Sequence, residues 1–247
     1  MKIKETDIQE RYTDSLHSAK KNGKSCCGPN HSSEVGQEGI VVSLETIDPI
    51  SFGCVSLGDV LQEVVRPGMT VVDLGSGPGH DLLKVARLVG PTGRAVGVDF
   101  TPAMVTEALT NADQEGLSNV EVVQADIAST TLPDNIADVV VSNCVINLAS
   151  DKGTVFQEVH RILKPGGLLV NGDMIASRTL DPQVSADPAL WCACVGGALT
   201  EDQYKSLMVA AGLEQVEVRR VSSDIAIYDD ERHGVYSGLL RARKPLN

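Results

Sequence analysis

The stretch Val71–Gly79, VVDLGSGPG, decides the fold of this chain. Its apolar start and Asp73 indicate the end of a buried strand, and Gly75, Gly77 and Gly79 form a G-x-G-x-G turn before a helical pattern. Glycine lets the backbone approach a ligand closely and adopt φ values that other residues avoid. A strand, a glycine turn and a helix in this order predict the start of a nucleotide-type binding unit.

On either side of this turn, apolar strand patterns alternate with helical patterns at short intervals. The strands are continuous apolar runs, which is typical of a parallel sheet covered on both faces. We expect an α/β, Rossmann-like fold with a seven-stranded, mostly parallel sheet and helices on both faces. We also expect three parts: an N-terminal arm with a flexible, cysteine-containing loop (1–45), a cofactor-binding core (46–175), and a substrate-binding loop segment whose C-terminal part completes the sheet (176–247).

Composition excludes several classes of partner. The net charge of −12 and the aromatic content of 3% argue against nucleic acid and acidic membranes, because phosphates are repelled and few rings are available for stacking. No apolar run is long enough to span a membrane, and the polar N-terminus has no signal-peptide core. Within that N-terminus, Ile8, Tyr12 and Leu16 have helical spacing and predict an amphipathic arm. We expect a cytoplasmic monomer whose six cysteines are mostly reduced.

The glycine turn differs from the dinucleotide fingerprint G-x-G-x-x-G in two respects. His80 occupies the place of the last glycine, and the acidic Asp73 precedes the first. S-adenosylmethionine has no pyrophosphate to bind, and it has an amino group that Asp73 can attract directly or through water. These two differences favour S-adenosylmethionine over NAD.

Further acidic residues follow the next two strands. Asp99, with Phe100 beside it, ends the strand after the glycine turn, where a carboxylate can accept both ribose hydroxyls. Asp126 ends the third strand and can accept the adenine amino group, while Ile127 packs on the ring. Acids at successive strand ends beside a glycine turn indicate a cofactor site at the carboxyl edge of the sheet.

Four cysteines lie in segments that are expected to approach the same cleft. Cys144 follows the fourth strand, Cys54 precedes the first helix of the core, and Cys192 and Cys194 follow the fifth strand. Thiolates select soft ions and metalloids, although free cysteines are also common as small buried apolar residues. The cysteine spacings do not match a zinc finger.

Several motifs together resemble the arsenite S-adenosylmethionine methyltransferases, which are class I methyltransferases. The resemblance runs from about residue 50 to residue 215 and rests on SFGC, DLGSGPGHD, SNCVINL with DK after it, ILKPGG and WCACVGGAL. It implies that arsenic(III) is bound by Cys54, Cys144 and Cys194. It also implies a redox role for Cys26 or Cys27 and cofactor contacts from Asp99, Asp126 and Asn143.

The resemblance predicts S-adenosylmethionine-dependent methylation of trivalent arsenic in arsenic detoxification. The expected partners are arsenite or its thiol conjugates and a thiol reductant such as glutathione or thioredoxin. Two alternatives stay open: a class I methyltransferase of another organic small molecule, and a non-enzymatic metalloid- or zinc-binding protein on the same fold. Cys192 is an additional cysteine beside Cys194, and its role is open, as are the number of methylations and the preferred arsenical.

Overall fold

The structure is a computed structural model that describes residues 5–21, 41–42, 55–223, 225–227 and 230–247. The predicted thiol positions Cys26, Cys27 and Cys54 lie outside the described residues. The described strands are β1 (Val41–Val42), β2 (Thr70–Leu74), β3 (Arg94–Asp99), β4 (Val120–Gln124), β5 (Ala137–Asn143), β6 (Leu163–Ala176), β7 (Leu199–Thr200), β8 (Glu214–Arg220), β9 (Ile225–Ile227) and β10 (Asp230–Arg243). The helices are α1 (Glu5–Lys21), α2 (Gly58–Val64), α3 (His80–Val89), α4 (Pro102–Gln114), α5 (Lys152–Ile162), α6 (Pro182–Ala186), α7 (Pro188–Cys192) and α8 (Glu201–Ala210), with a 3-10 turn at Ile146–Leu148.

The strands form one sheet in the order β1-β9-β10-β6-β5-β2-β3-β4, with β7 paired to β6 and β8 paired to β10. The neighbours from β6 through β5, β2 and β3 to β4 are parallel, whereas β10 is antiparallel to β6 and β8. Seven described strands have five or more residues, and β1, β7 and β9 add two or three residues each. The predicted seven-stranded, mostly parallel α/β fold is therefore confirmed.

Helices cover both faces of this sheet, as predicted. On one face α5 and α8 contribute buried side chains such as Phe156 and Tyr204 to an apolar core with the strands. On the other face α2 and α3 contribute Leu61 and Val85. Because apolar strand residues point to both sides of the sheet, aliphatic side chains are buried under helices on each face, which stabilises the fold.

The parallel register brings several strand ends to the same edge of the sheet. Asp73 of β2 is paired with Gly97 of β3 and with Val141 of β5, and Asn143 at the end of β5 is paired with Gly172 of β6. The carboxyl ends of β2, β3 and β5 therefore meet, and loops that leave them share one cleft.

The segment after β6 contains two short helices where the sequence indicates a loop. Asp181 and Asp187 cap α6 and α7, and each is followed by proline at the first helical position. An Asp-Pro pair is a helix start signal, since the carboxylate accepts free backbone N–H groups and proline needs no hydrogen-bond partner there. Each helix has only five residues, too few for the hydrophobic periodicity that indicates longer helices.

The helical spacing of Ile8, Tyr12 and Leu16 corresponds to α1 in the structure. Ile8 and Leu16 are buried, and Gln9 Nε2 donates to the carbonyl of Phe100 at 3.1 Å. Among the described helices, none has the length and apolar character required to cross a bilayer.

Candidate active site

The glycine turn after β2 brings two segments into close contact. Gly75 has φ of 70°, and its N–H donates to the Val98 carbonyl at 2.7 Å. A Cβ on Gly75 would lie 2.5 Å from Val145, in the segment that follows β5. Glycine is required here because a side chain would push apart the turn and the segment that carries Cys144.

Asp99 is held in place by the turn that it faces. Its Oδ2 accepts the N–H of Gly77 and its Oδ1 accepts the N–H of Thr101, both at 2.9 Å. Burial raises the pKa of Asp99, and these backbone hydrogen bonds partly offset that effect. An ionised carboxylate has about four acceptor positions, so Asp99 can still accept hydrogen bonds from a ligand.

Two more carboxylates and an amide lie beside Asp99. Burial raises the pKa of Asp73 well above its usual range, and the charges of Asp81 and Asp99 raise it further. Asn143 Nδ2 donates to Asp81 Oδ2 at 3.0 Å and to the carbonyl of Val55 at 2.9 Å. Asn143 therefore connects the end of β5 both to α3 and to the segment that precedes α2.

These groups line one pocket at the carboxyl edge of the sheet. Its described lining carries carboxylates and no lysine or arginine, and Ser76 Oγ is buried without a hydrogen-bond partner among the described residues. Such a lining suits a ligand with a positive charge and hydroxyl groups, and it repels a pyrophosphate. The described lining residues are Ile8, Tyr12, Asp73, Gly75, Ser76, Gly77, Pro78, His80, Asp81, Asp99, Phe100, Thr101, Met104, Asn143, Cys144, Val145 and Leu148.

Helix α1 supplies part of the wall of this pocket through Ile8 and Tyr12. The sequence predicts α1 as an arm, not as part of a binding site. The feature of the sequence that could have revealed this role is the apolar stripe of α1, because an amphipathic helix packs its apolar face against another surface.

Two of the three predicted arsenic ligands lie close together, and one of them, Cys144, lines the pocket. The sulfur atoms of Cys144 and Cys194 and a carboxylate oxygen of Asp173 lie within 4.8 Å of one another. The Cys194 thiol donates to the carbonyl of Cys144 at 2.7 Å. Cys144 is disulfide-bonded, and Cys192 and Cys194 are free thiols.

Asp173 lies in this cluster, and sequence reasoning missed it. It is completely buried, Oδ2 accepts the N–H of Asn147 at 3.1 Å, and Oδ1 accepts the N–H of Met174 at 3.0 Å. Burial raises the pKa of Asp173 to about 7, although these hydrogen bonds and the charge of Lys152 oppose the shift. The signal in the sequence is a carboxylate near the end of an apolar strand, in NGDM.

The segment that carries Cys194 is fixed by the segment after β5. Asn147 Nδ2 donates to the carbonyls of Cys194 and Met174, both at 2.8 Å, and Tyr204 donates to Asn147 Oδ1. Burial raises the pKa of the Cys194 thiol well above its usual range, and the charge of Asp173 raises it further, while Lys152 lowers it. The net effect favours the protonated thiol over the thiolate.

The sequence profile described as "Methyltransferase domain" matches residues 66–212. The chain belongs to this methyltransferase family. The matched range includes the glycine turn, the acidic strand ends, Cys144 and Cys194.

Curated relatives of this methyltransferase-family chain include arsenite methyltransferases. One from Halobacterium salinarum is 39% identical over 187 residues, which cover 73% of this chain and 48% of the relative. One from Mus musculus is 36% identical over 176 residues, which cover 67% of this chain and 46% of the relative. The chain thus spans about half the length of the curated relatives it matches, and the resemblance to arsenite methyltransferases is confirmed.

A solved structure is similar over most of the chain. It is an arsenic(III) S-adenosylmethionine methyltransferase from Chlamydomonas reinhardtii, with 29% identity and a TM-score of 0.64. The similarity covers 94% of this chain and 74% of that one. Family membership and this neighbour confirm the prediction of S-adenosylmethionine as the cofactor.

The predicted cofactor residues of this methyltransferase-family chain divide into two groups. Six of the nine are among the described residues that line the pocket, and Gly79 caps α3 beside it. The six are Asp73, Gly75, Gly77, Asp99, Phe100 and Asn143. Asp126 is exposed and accepts the N–H of Ala128 at 2.7 Å, and Ile127 is buried in the core. The adenine contacts of Asp126 and Ile127 stay a prediction.

Proposed function

We propose that this protein transfers a methyl group from S-adenosylmethionine to trivalent arsenic held by the thiolates of Cys54, Cys144 and Cys194, as a step in arsenic detoxification. One observation carries the proposal. Two sulfur atoms from segments 50 residues apart lie within 4.8 Å of each other, and one of them, from Cys144, also lines the pocket of the acidic strand ends. Paired soft ligands beside a methyl-donor pocket suit a soft, trivalent metalloid.

The third thiolate is supported by the described residue that follows it in the sequence. Val55 comes directly after Cys54, and Asn143 Nδ2 donates to the Val55 carbonyl at 2.9 Å. Asn143 in turn directly precedes Cys144. Among the curated relatives, the names "Arsenite methyltransferase" support the same substrate for this chain.

The residues of the pocket fit S-adenosylmethionine by their chemistry. Asp73 and Asp81 suit its ammonium and sulfonium charges, Asp99 suits the ribose hydroxyls, and the buried Ser76 Oγ is available for a further hydrogen bond. When bound, this cofactor supplies an electrophilic methyl group whose C–S electron pair stays with the departing sulfur.

The role of the chain is to bind and align. Three thiolates hold arsenic as a pyramid and leave its lone pair free, and the lone pair forms the As–C bond. The nucleophile carries no proton, so the chain needs no general base at this step. Alignment of the two reactants can contribute an effective molarity on the order of 10⁵ M or more.

Arsenic loses two electrons formally when it becomes pentavalent. Two thiols can return them by oxidation to one disulfide, with release of two protons, and the disulfide at Cys144 supports such a role. Cys26 or Cys27 is the proposed further thiol of this relay. Glutathione or thioredoxin then reduces the disulfide, so a thiol reductant is the proposed partner.

The test is incubation of the protein with arsenite, glutathione and S-adenosylmethionine, followed by chromatographic separation of arsenic species with mass detection. We expect methylated arsenic from the unchanged protein. Cys144→Ser and Cys194→Ser should each lower the rate at least about a hundredfold, because each removes a soft ligand.

Cys192→Ser is the matched control, since it removes a free thiol outside the Cys144–Asp173–Cys194 cluster. It should retain most of the activity. Full activity in Cys144→Ser or Cys194→Ser would contradict the proposal, as would methyl transfer to organic acceptors with none to arsenite.

A further inference from the structure

We propose that Asp173 is a substrate-contacting residue that accepts a hydrogen bond from the hydroxyl remaining on arsenic while two sulfur atoms hold it. The inference rests on the proposed function and deepens it. It concerns the arsenic species that forms when arsenite first binds to two thiols, before a third thiol displaces the last hydroxyl.

The first argument is distance. A carboxylate oxygen of Asp173 lies within 4.8 Å of both the Cys144 and the Cys194 sulfur atoms. An arsenic atom bonded to both sulfurs is therefore adjacent to this oxygen. Since trivalent arsenic carries three ligands, its third ligand can point towards Asp173.

The second argument is orientation. Oδ1 and Oδ2 of Asp173 each accept one backbone N–H, from Met174 at 3.0 Å and from Asn147 at 3.1 Å. These bonds fix the carboxylate, and because a carboxylate has about four acceptor positions, at least one stays open even with the side-chain amide of Asn171 beside it. A hydroxyl that donates to a carboxylate forms one of the stronger hydrogen bonds found in proteins.

The third argument is the cost of this burial. Asp173 is 0% exposed, and no described lysine or arginine lies within salt-bridge distance of it. Lys152 instead donates to the carbonyl of Ala149 at 3.0 Å and lies 5.2 Å from the centre of the Trp191 ring. A buried carboxylate without an ion pair destabilises a fold. Binding of a ligand by Asp173 would explain why this carboxylate is buried here.

The entry step balances without a change in oxidation state. A thiol reductant such as glutathione first reduces the Cys144 disulfide and is itself oxidised to a disulfide. Arsenite, As(OH)₃, then reacts with the Cys144 and Cys194 thiols. Two As–S bonds form, two As–O bonds break, and the two thiol protons leave with the two hydroxyls as water. One hydroxyl remains on trivalent arsenic and donates to Asp173.

The experiment compares two arsenicals in reduced protein with Cys54→Ser, in which the two-sulfur species persists. Arsenite keeps a hydroxyl as its third ligand, whereas phenylarsine oxide, once bound by two thiols, has a phenyl group there. Binding is followed by the fluorescence of Trp191, the single tryptophan of the chain, which lies three residues from Cys194.

We expect Asp173→Asn to weaken arsenite binding about tenfold and to change phenylarsine oxide binding by less than about twofold. Equal weakening of both arsenicals would indicate a merely structural role for Asp173 and would overturn the inference. So would unchanged arsenite binding. Asp173→Ser is a second variant with the same expectation, and phenylarsine oxide binding verifies that each variant is folded.

Failure of the inference and failure of the proposed function give different results. If the unchanged protein binds arsenite and does not methylate it, the proposed function fails while the effect of Asp173→Asn on binding still supports the inference. If the Cys54→Ser protein binds phenylarsine oxide and not arsenite, the inference fails while methylation by the unchanged protein still supports the proposed function.

Discussion

At the scale of single residues, both thiols of the cluster have an unusual backbone conformation. Cys144 and Cys194 have φ of 58° and 62°, in the left-handed region that non-glycine residues rarely adopt. This conformation costs about 1 to 2 kcal/mol per residue. The hydrogen bond from Asn147 to the Cys194 carbonyl and the burial of both cysteines partly offset this cost.

A pair of variants at Cys194 tests this strain. Cys194→Gly and Cys194→Ala both remove the thiol, but only glycine relieves the left-handed φ. We expect Cys194→Gly to have a free energy of unfolding about 1 kcal/mol higher than Cys194→Ala, measured by chemical denaturation. A lower value for glycine would contradict the assignment of strain to this residue.

Asp173 should make stability depend on pH. Its pKa is about 7 in the folded protein and about 3.9 when unfolded, so the folded state binds more protons in between. The contribution of Asp173 to stability therefore decreases as pH rises from about 4 to about 7. We compare the free energy of unfolding of Asp173→Asn with that of the unchanged protein at each pH. This difference should become more favourable to the variant by about 2 to 3 kcal/mol from pH 5 to pH 8.

The measurement is denaturant unfolding at both pH values without arsenic. The exposed residue Asp113 offers a matched control, because Asp113→Asn should show no comparable change between the two conditions. If the difference in free energy of unfolding between Asp173→Asn and the unchanged protein is the same at both pH values, the proposed pH dependence of Asp173 is wrong.

At the scale of elements, α1 closes one side of the pocket at the carboxyl edge of the sheet. Ile8 is 5% exposed and lines the pocket, and Gln9 fastens the helix to the Phe100 carbonyl at the end of β3. The helix is therefore held against the end of β3 by a hydrogen bond to a residue that lines the same pocket.

Shortening the side chain of Ile8 should weaken cofactor binding. We expect Ile8→Ala to raise the Kd for S-adenosylhomocysteine about 5- to 20-fold, because apolar contact area with the ligand is lost. Calorimetric titration measures this, with His17→Ala, an exposed position on the same helix, as control. Equal affinity in both variants would show that α1 does not contact the cofactor.

At the scale of the whole molecule, the sheet gathers the acidic strand ends and the thiols at one edge. Asp99 and Asn143 end β3 and β5, Asp73 lies one residue before the end of β2, and Cys144 follows β5. Ligand binding at this edge should stabilise the entire sheet, since a ligand that binds only the folded state shifts the unfolding equilibrium.

S-adenosylhomocysteine at about a hundred times its Kd should stabilise the protein by about 2.7 kcal/mol, or about 5 to 10 °C in Tm. NADH should give no shift, because the carboxylates around the glycine turn repel a pyrophosphate. Thermal unfolding with each ligand tests this, and Asp99→Ala should lose most of the shift. A shift with NADH similar to that with S-adenosylhomocysteine would contradict the cofactor assignment.

The sequence by itself determined the α/β sheet, the glycine turn and the family of this protein. It also determined most of the acidic residues at the strand ends. Apolar periodicity and glycine spacing report local conformation and burial, so they are readable along the chain. Short helices such as α6 and α7 were missed, since five residues carry too little periodicity.

Only the tertiary structure decided that α1 lines the pocket and that Asp173 joins Cys144 and Cys194. These contacts join segments far apart in the chain, such as those of Asn147 and Cys194, which are separated by 47 positions. Such contacts depend on how elements pack and on left-handed φ values at single residues, and neither leaves a periodic pattern in the sequence.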